Sequence, residues 1–545
     1  MSKARILRSL DFGAMMTIAY TMARTDREAV SNYLGTSNIT ETPAKEAMCG
    51  AVPITNGKPI WNGWSPSSTN TRFQNNSGIT LDNVRRLKLK WAFAHAGDIN
   101  TMAQPTIIGD VLYTGSASGA VYALNAKSGC IHWVFQANGA VRTAPRIEGN
   151  AALFADQIGW VYAINTRDGK LIWKKRVEDH EATRLTAAFA VHNGIAYVPA
   201  ASWEETRAIN NSYACCTFRG SVSALRIKDG QAIWKTFLVD EPKPTKPGKF
   251  GPSGVGVWST PTVDVARNRL YITTGNNYSS PATNTSDAVI ALHLQTGGIE
   301  WVKQTRANDV FSSACVAGGT NCPEEKGPDY DYGSPAMLVS NGKKTILVAG
   351  QKSGIVHAFD PDRNGEVIWQ KRVGTGESLY GGVQWGMTAD PQNVYAAVSD
   401  MKLTRNVPKD LADLRRYLYD PVIGGGLTAL RITDGEQKWR AEAAPCAKPV
   451  PGCSPAQSAA LTAVPGVIFS GSMDGHVRAY SAESGAVLWD FDTLRDFDGV
   501  NGHKGRGGSI DGPGPVIANG MLYINSGYAR FGGMGGNVLL AFGID

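Results

Sequence analysis

One short unit recurs along this chain, and each copy ends in a tryptophan. The unit is an alternating strand of the V-Y-A-L type, a tight turn that ends in glycine, and a second strand that carries the tryptophan. Complete copies end at Trp133, Trp173, Trp234, Trp301, Trp369, Trp439 and Trp489. Trp91 lacks the preceding strand and turn, whereas the C-terminal GGNVLLAFGID supplies such a strand without a tryptophan. The two incomplete halves complement each other.

The spacing of these tryptophans predicts a closed ring of small sheets. Neighbouring tryptophans lie between 40 and 70 residues apart, a period typical of β-propellers in which each repeat is one four-stranded blade. The two incomplete halves are expected to join in one blade, which removes the open sheet edges. Each tryptophan is then placed to pack between neighbouring blades. The sequence therefore predicts an all-β, eight-bladed β-propeller over residues 61–545, closed by its N- and C-terminal strands.

Charge and hydropathy argue against two classes of function. Lys and Arg exceed Asp and Glu by 54 to 47 among the 545 residues, and the excess is spread along the chain. A nucleic-acid-binding surface needs a concentrated basic stripe, and the sequence has none. No apolar run reaches the roughly 20 residues that a membrane-spanning helix needs. We therefore expect neither a nucleic-acid partner nor a membrane span.

The eight cysteines form an even set, as they do in disulfide-stapled chains. No C-x-x-C pair occurs, and no histidine lies at ligand spacing beside a cysteine, which argues against a zinc site. Disulfides indicate an oxidising compartment. By spacing, the pairs are Cys215 with Cys216, Cys315 with Cys322, and Cys446 with Cys453, which leaves Cys49 and Cys130 to pair with each other.

The intervals after Trp173 are longer than the first two, so the later blades carry insertions, which usually form loops on one face of a propeller. The most unusual insertion lies in residues 199–225, which contain the adjacent carboxylates Glu204 and Glu205 and the adjacent cysteines. Adjacent cysteines pair only through an eight-membered ring, an arrangement far from ordinary disulfide geometry. In another insertion, PKDLADLRRYLY at 408–419 predicts a short helix.

The repeat A-x-[ND]-x-x-[TSD]-G-x-x-x-W resembles that of the quinoprotein dehydrogenases, which use pyrroloquinoline quinone (PQQ). CCTFRGSV at 215–222 is most similar to the polyvinyl alcohol dehydrogenases. The resemblance implies that PQQ lies near the propeller axis, between a tryptophan and a disulfide of adjacent cysteines. Trp258 in GVWSTPTVD matches the tryptophan, and Cys215 with Cys216 matches the disulfide. An aromatic surface is what a flat conjugated cofactor needs.

The same resemblance implies a calcium ion held by a Glu, an Asn and an Asp, whose hard oxygen atoms suit that metal. The Glu is Glu205 or Glu204, and the Asn is Asn276 in YITTGNN. The Asp is Asp331 or Asp329 in PDYDYG. The resemblance also places Asp331, with Asp329 as the alternative, to take the hydroxyl proton of the alcohol as the general base.

Further positions match residues that contact PQQ in the family. Lys352 in GQKSGIVHAFD matches a basic residue that hydrogen-bonds the quinone oxygens and stabilises the reduced cofactor. Arg142 and Thr186 match positions that hold the PQQ carboxylates, for which a guanidinium is well suited. Trp385 in GGVQWG is a further candidate. The resemblance therefore implies a site assembled from several blades.

The N-terminal residues fit two descriptions. Residues 1–24 begin with basic residues and continue into an apolar stretch, as a signal peptide does, but Asp11 interrupts the transition and no A-x-A site follows. Residues 1–35 also resemble the last part of a c-type cytochrome domain. They contain no C-x-x-C-H, so we expect no covalent haem. Residues 36–60 are then a linker to the propeller.

Within this segment, TDREAVSNYLG predicts a short helix. Thr25 and Glu28 fit a capping box, and Gly35 is expected to end the helix. The helix is expected to bury an apolar stripe made of Ala29, Val30, Tyr33 and Leu34.

The resemblance implies a PQQ- and calcium-dependent dehydrogenase that oxidises secondary hydroxyls of polyvinyl alcohol to ketones in the periplasm and passes electrons to a separate cytochrome c. A PQQ enzyme for a small alcohol would keep the same site under a tighter lid. A non-catalytic propeller, of the kind that scaffolds outer-membrane assembly, would share the tryptophan repeats. It would lack the adjacent cysteines and the matching Trp, Asn, Asp and Lys.

Overall fold

The computed structural model describes residues 2–12, 15, 19, 22–36, 43–50, 54, 57–340, 344–376, 380–405 and 417–544. Within these ranges, eight antiparallel sheets of four or five strands follow one another along the chain. Strands that are neighbours in a sheet are mostly neighbours in sequence, so each sheet is a compact blade. This order confirms the predicted eight-bladed β-propeller.

The first four blades occupy the N-terminal half of the ring. Blade 1 contains Pro59–Trp61, Thr106–Ile108, Val111–Gly115, Ala120–Asn125 and Ile131–Gln136, and blade 2 contains Arg146–Glu148, Ala151–Ala155, Trp160–Asn165 and Leu171–Arg176. Blade 3 contains Thr183–Arg184, Ala190–His192, Ile195–Ser202, Ser221–Arg226 and Ala232–Phe237, and blade 4 contains Thr262–Asp264, Arg269–Thr273, Ala288–His293 and Ile299–Gln304. Because Pro59 already pairs in blade 1, the propeller starts two residues before the predicted boundary.

The other four blades complete the ring. Blade 5 contains Met337–Ser340, Thr345–Gly350, Ile355–Asp360 and Glu366–Arg372, and blade 6 contains Thr388–Ala389, Asn393–Val398, Gly426–Arg431 and Gln437–Glu442. Blade 7 contains Thr462–Val464, Val467–Gly471, His476–Ser481 and Val487–Asp492, and blade 8 contains Val516–Ala518, Met521–Ser526, Val538–Ile544 and Leu87–Ala94.

Small two-stranded sheets and short helices lie in the connections between these strands. Lys243–Lys246 and Lys249–Gly251 form a hairpin, as do Asp496–Asp498 and Lys504–Arg506, whereas Ser253–Gly254 pairs with the distant Asn277–Ser279 and Leu403–Arg405 pairs with Tyr417–Tyr419. The α-helices are α1 (Lys3–Phe12), α2 (Arg24–Leu34), α3 (Glu204–Arg207) and α4 (Ala314–Ala317), and 3₁₀ turns span Lys45–Ala47, Val84–Arg86, Pro361–Arg363 and Arg530–Gly532. No helix in the described ranges is long and apolar enough to cross a membrane.

The ring closes in blade 8, where the strand Leu87–Ala94 pairs with the C-terminal strand Val538–Ile544. The register runs from Leu87 opposite Ile544 to Ala94 opposite Val538. The N-terminal strand is the outer one of this blade. The predicted closure by the two chain ends is therefore confirmed.

Seven of the eight repeat tryptophans, all except Trp489, pack against a glycine of the following blade. These glycines have positive φ and end the turn of the repeat, so a side chain there would enter the indole ring. Most of the indole N–H groups donate to a backbone carbonyl of the same following blade, as from Trp369 to Ile432 at 2.9 Å. The contacts are Gly129 with Trp91, Gly169 with Trp133, Gly230 with Trp173, Gly297 with Trp234, Gly365 with Trp301, Gly435 with Trp369 and Gly485 with Trp439.

We expect Gly435→Ala to destabilise the propeller more than a glycine substitution at an open turn. Its Cβ would lie 2.6 Å from Cε3 of Trp369, and overpacking of this kind costs about 1–3 kcal/mol, added to roughly 1 kcal/mol for the left-handed backbone. Gly194 has the same φ of +72° but nothing within 4 Å of its Cβ position. Urea unfolding of both variants should show the larger loss for Gly435→Ala, and equal losses would contradict this packing role.

The N-terminal helices α1 and α2 pack against each other through polar groups. The buried carboxylate of Asp11 in α1 accepts a hydrogen bond from Arg24 at 2.6 Å and lies 3.3 Å from Arg27. In α2 the buried residues are Arg27 and Ser31. The predicted apolar stripe is therefore wrong, because Asp11 draws the arginine face of α2 into the contact and leaves Tyr33 88% exposed.

The start of α2 also differs from the prediction. The helix begins two residues earlier, with Ala23 as its N-cap, and the N–H of Ala23 donates to the Asp26 carboxylate at 3.3 Å. Thr25 and Glu28 therefore do not form a capping box, and Glu28 accepts a hydrogen bond from Arg24 at 2.7 Å. Gly35 follows the last helical residue, as expected. The relation of residues 1–35 to a cytochrome domain stays a prediction.

All four predicted cysteine pairs form disulfides. The bond from Cys49 to Cys130 ties the segment before the propeller to blade 1. Residues 408–416 of the predicted insertion helix lie outside the described ranges. Residues 417–419 of that prediction form a strand instead, because Tyr419 packs beside Met401 and Tyr528 in a buried cluster.

Candidate active site

A cavity of about 220 Å³ lies at the centre of the ring. Its lining comes from connections in blades 2 to 8, so it lies where the blades converge. The predicted site residues that line it are Arg142, Thr186, Glu205, Trp258, Asn276, Asp331, Lys352 and Trp385. The predicted residues that do not line it are Glu204, Cys215, Cys216 and Asp329.

One side of the cavity carries an acidic group of side chains around Lys352. Asp331 accepts a hydrogen bond from the backbone N–H of Asn276 at 2.7 Å and another from Nζ of Lys352 at 2.9 Å. Glu205 accepts a hydrogen bond from the Ser313 hydroxyl at 3.3 Å. The carboxylates of Asp331 and Glu205 and the ammonium group of Lys352 are therefore held at the same part of the cavity wall.

Asn276 presents its amide in a defined orientation. Both hydrogens of its Nδ2 are used, because Nδ2 donates to the carbonyl oxygens of Asn277 at 2.7 Å and Phe311 at 2.8 Å. Its Oδ1 is therefore the amide atom left for a ligand. The preceding Gly275 is needed for this approach, since a Cβ there would lie 2.9 Å from Oδ1 of Asp331.

Burial and neighbouring charges set the protonation of this group. Burial raises the pKa of Glu205 to about 7, although the charge on Lys352 opposes the shift. Burial disfavours the charged form of Lys352, but Asp329, Asp331 and Glu205 outweigh it and raise the pKa of the lysine. A positive charge therefore stays beside Asp331.

Glu204 and Glu205 are neighbours in α3 but have different environments. The Glu204 carboxylate is fully buried and accepts hydrogen bonds from the backbone N–H groups of Thr217 and Phe218, both at 2.7 Å, and from the Tyr213 hydroxyl at 3.0 Å. It thus ties α3 to the segment that carries the cysteines. Glu205 faces the cavity.

Asp329 and Asp331 also have different environments, because Asp331 lines the cavity and Asp329 does not. Asp329 is fully buried behind Lys352, whose Nζ lies 3.1 Å and 3.3 Å from its two carboxylate oxygens. Its own N–H donates to Asp309 at 3.1 Å. Asp331 is therefore the aspartate of this pair that a ligand in the cavity can reach.

Two tryptophans form an aromatic corner of the cavity. Trp258 and Trp385 pack edge to face, with ring centroids 5.1 Å apart and planes at 82°. Nζ of Lys352 lies 5.5 Å from the Trp258 ring centre, and the Arg142 guanidinium lies 4.3 Å from that of Trp385. The corner thus places a cation beside each ring.

Cys215 and Cys216 form their disulfide but do not line the cavity, and the predicted contact of this disulfide with a bound cofactor stays a prediction. The backbone of Cys215 pairs with the hairpin at 243–251, donating to Gly248 at 3.2 Å and accepting from Phe250 at 2.9 Å. Its sulfur atoms lie in an apolar cluster with Tyr278, and it is Tyr278 that reaches the cavity.

Several lining residues were not predicted from the sequence. Arg184 and Arg530 flank the Trp203 ring, with guanidinium carbons 4.8 Å and 3.9 Å from its centre. Asp511 and Tyr528 also line the cavity. Arg184 stands two residues before Thr186, which was predicted to contact the cofactor, so the sequence contained a signal for Arg184. Arg530 and Asp511 lie in glycine-rich segments in which no motif assigns them a role.

Burial makes the arginine side of the cavity a good place for anions. It lowers the pKa of Arg142 to about 10 and that of Arg184 to about 9. Both groups stay cationic at neutral pH. An anionic ligand would compensate the cost of keeping these charges out of water.

A family model described as outer membrane protein assembly factor BamB matches residues 50–320 and 352–537. The chain is 38% identical to a polyvinylalcohol dehydrogenase of Pseudomonas sp., over 100% of this chain and 89% of that protein. It is 36% identical to a polyvinylalcohol dehydrogenase of Sphingopyxis sp. strain 113P3, over 99% and 88%. The structure of the quinohemoprotein alcohol dehydrogenase ADHIIG of Pseudomonas putida HK5 matches 89% of this chain and 80% of its own with a TM-score of 0.65 at 17% identity.

These matches agree with the fold. The structural match at low identity supports the propeller fold alone, and the family model covers most of the repeats. The two relatives that align over the whole chain are more specific, because both are enzymes. The chain therefore belongs to the propeller family that this model describes and, within it, to the polyvinyl alcohol dehydrogenases, which are PQQ-dependent alcohol dehydrogenases.

Proposed function

We propose that this enzyme oxidises secondary hydroxyls of polyvinyl alcohol to ketones, with PQQ and calcium in the central cavity. The observation that carries the proposal is the position of Asp331, which lines the cavity between the Asn276 N–H and Lys352. The printed names of the two full-length relatives support the choice of polymer. A small secondary alcohol would use the same groups and is the alternative.

The residues present fit both bound groups. Glu205, Asn276 and Asp331 offer oxygen atoms, the donors that calcium prefers. In the described part of the chain, no three His, Cys, Asp or Glu side chains form a metal site. Asn276 would supply a third oxygen donor beside the carboxylates of Glu205 and Asp331. Arg142 and Thr186, with Arg184, would hold the PQQ carboxylates.

When bound, PQQ supplies the carbon that accepts the hydride of the alcohol, and calcium polarises the quinone. Asp331 takes the hydroxyl proton, since its carboxylate is held in one orientation from both oxygens. Lys352 keeps its positive charge and, through the 2.9 Å hydrogen bond from Nζ, holds the Asp331 carboxylate in place. Trp258 provides a flat surface at the wall of the cavity.

Gly333→Ala should weaken PQQ binding by displacing Trp258. A Cβ at Gly333 would lie 2.0 Å from Cη2 of Trp258 and 2.2 Å from the Gln384 carbonyl oxygen. The indole has to move toward the cavity, and we expect PQQ affinity to fall at least about tenfold, which corresponds to a loss of roughly 1.4 kcal/mol. Quenching of tryptophan fluorescence by added PQQ measures this. The control Gly298→Ala, whose Cβ would be 3.4 Å from its nearest neighbour, should bind normally.

The proposal is tested by loading the purified chain with PQQ and calcium and following dye reduction with polyvinyl alcohol, 2-propanol and ethanol. We expect turnover with the polymer and with 2-propanol. Turnover with small alcohols and none with the polymer would favour the alternative substrate. A chain that neither takes up PQQ nor reduces the dye would fit a non-catalytic propeller and overturn the proposal.

We also propose that the enzyme works in the periplasm and delivers electrons to a separate cytochrome c. Four disulfides support an oxidising compartment. Reduction of purified cytochrome c by the loaded enzyme and alcohol tests the acceptor. Cell fractionation tests the compartment.

A further inference from the structure

The mouth of the cavity has an apolar edge that the chemistry of the charged interior does not require. Val316 in α4 and Ile209 just after α3 both line the cavity. Val316 is 41% exposed, although it is an aliphatic side chain beside a cavity that contains Glu205, Asp331 and Lys352. We call Val316 and Ile209 the aliphatic lip.

The two loops that carry the lip are locked together. The Asn321 amide donates to the carbonyl oxygens of Ala208, Asn210 and Tyr213 at 3.0–3.1 Å. The disulfide from Cys315 to Cys322 closes the loop that carries Val316. The lip is therefore a fixed part of the surface rather than a pair of loose side chains.

The loop of Val316 is also attached to the reacting side of the cavity. Ser313 donates its backbone N–H to the carbonyl oxygen of Glu205 at 3.1 Å and its hydroxyl to the Glu205 carboxylate at 3.3 Å. Val316 lies three residues further along, about one helical turn. When the hydroxyl of an alcohol lies beside Asp331 and Glu205, the carbon atoms next to that hydroxyl therefore lie close to the lip.

We propose that the aliphatic lip binds the methylene groups next to the reacting hydroxyl and thereby selects secondary alcohols inside a saturated carbon chain. This inference rests on the proposed function and deepens it. Hydrocarbon is favoured at Val316 and Ile209 because contact removes apolar surface from water on both partners. The hydroxyl alone continues to the polar interior. A repeating 1,3-diol chain offers this pattern at every unit, whereas 2-propanol has only methyl groups.

The test compares the double variant Val316→Ser, Ile209→Ser with the natural enzyme, both loaded with PQQ and calcium. We expect KM for polyvinyl alcohol to rise about tenfold, since each lost methylene contact is worth several-fold in affinity. The kcat should stay within about twofold, because no group that touches the reacting atoms changes. KM for 2-propanol should rise less than KM for the polymer, because its two methyl groups offer less apolar surface to the lip than a continuing carbon chain. Val487→Ser, at an outer-strand valine that is 52% exposed, is the matched surface control.

Calorimetric binding of polyvinyl alcohol to the same proteins gives a readout that does not need turnover. Weaker binding by the double variant, with unchanged PQQ loading and unchanged Tm, supports the lip even if the natural enzyme oxidises a different alcohol. Unchanged polymer affinity overturns the inference. So does an equal rise of KM for polymer and 2-propanol, since that result indicates general damage to the site.

Discussion

Asp331→Asn should lower the turnover of a secondary alcohol by between about 100- and 10,000-fold, the range that a lost general base produces. The amide keeps the shape of the side chain and an oxygen that can accept the 2.7 Å hydrogen bond from Asn276. It cannot take up the hydroxyl proton. Dye reduction at saturating alcohol, with PQQ content checked by absorbance, measures the loss in kcat.

Asp329→Asn is the matched comparison, since Asp329 also contacts Lys352 but lies behind it. This variant weakens the positioning of Lys352 without removing an acceptor from the cavity. We expect a smaller loss of kcat than for Asp331→Asn. If the order of the two losses is reversed, Asp329 is the base, and the assignment from the lining of the cavity fails.

Glu205→Gln should produce the second large effect, a loss of calcium binding. The change removes one of the two carboxylates in the oxygen donor set, and calcium affinity depends on the number of charged ligands. We expect PQQ loading to need about 10- to 100-fold more calcium, the range typical of changes to a metal site. Stripping with a chelator and titrating calcium back, with bound PQQ as the signal, gives the midpoint for each variant.

Glu204→Gln supplies the contrast on the adjacent residue. Its carboxylate accepts one backbone N–H on each oxygen, so a glutamine would keep one of these bonds through its oxygen and lose the other, because an NH₂ group cannot accept it. A buried donor left without its acceptor costs about 1–3 kcal/mol, so we expect lower stability and an unchanged calcium midpoint. Equal calcium midpoints for both variants would refute the assignment of Glu205 as the ligand.

The blades were predictable because their signal is local. Trp369, its strand and the glycine turn of the following repeat recur at similar spacing, and the contact with Gly435 joins consecutive units. The choice between Glu204 and Glu205 was not predictable. Both lie in one short helix, and the N–H groups of Thr217 and Phe218, more than ten residues further along, capture Glu204 and leave Glu205 to the cavity.

The position of the disulfide depended on a still longer-range contact. Cys215 pairs with the hairpin around Gly248, which belongs to a different insertion. The adjacency of two cysteines is visible in the sequence, but it does not predict which hairpin pairs with them. The packing of the N-terminal helices also depended on a contact outside the local pattern. The apolar pattern of α2 did not predict its buried face, because the buried carboxylate of Asp11 in α1 contacts Arg24 and Arg27.

The closure in blade 8 has a consequence for biosynthesis. Leu87–Ala94 is translated before most of the propeller, whereas its partner strand Val538–Ile544 is translated after the strands of the other seven blades. Leu87–Ala94 therefore has no partner strand until the other seven blades have been synthesised. We expect chains that terminate before Val538 to be degraded or to aggregate, because a nearly complete nascent propeller still has an open seam at its final joint.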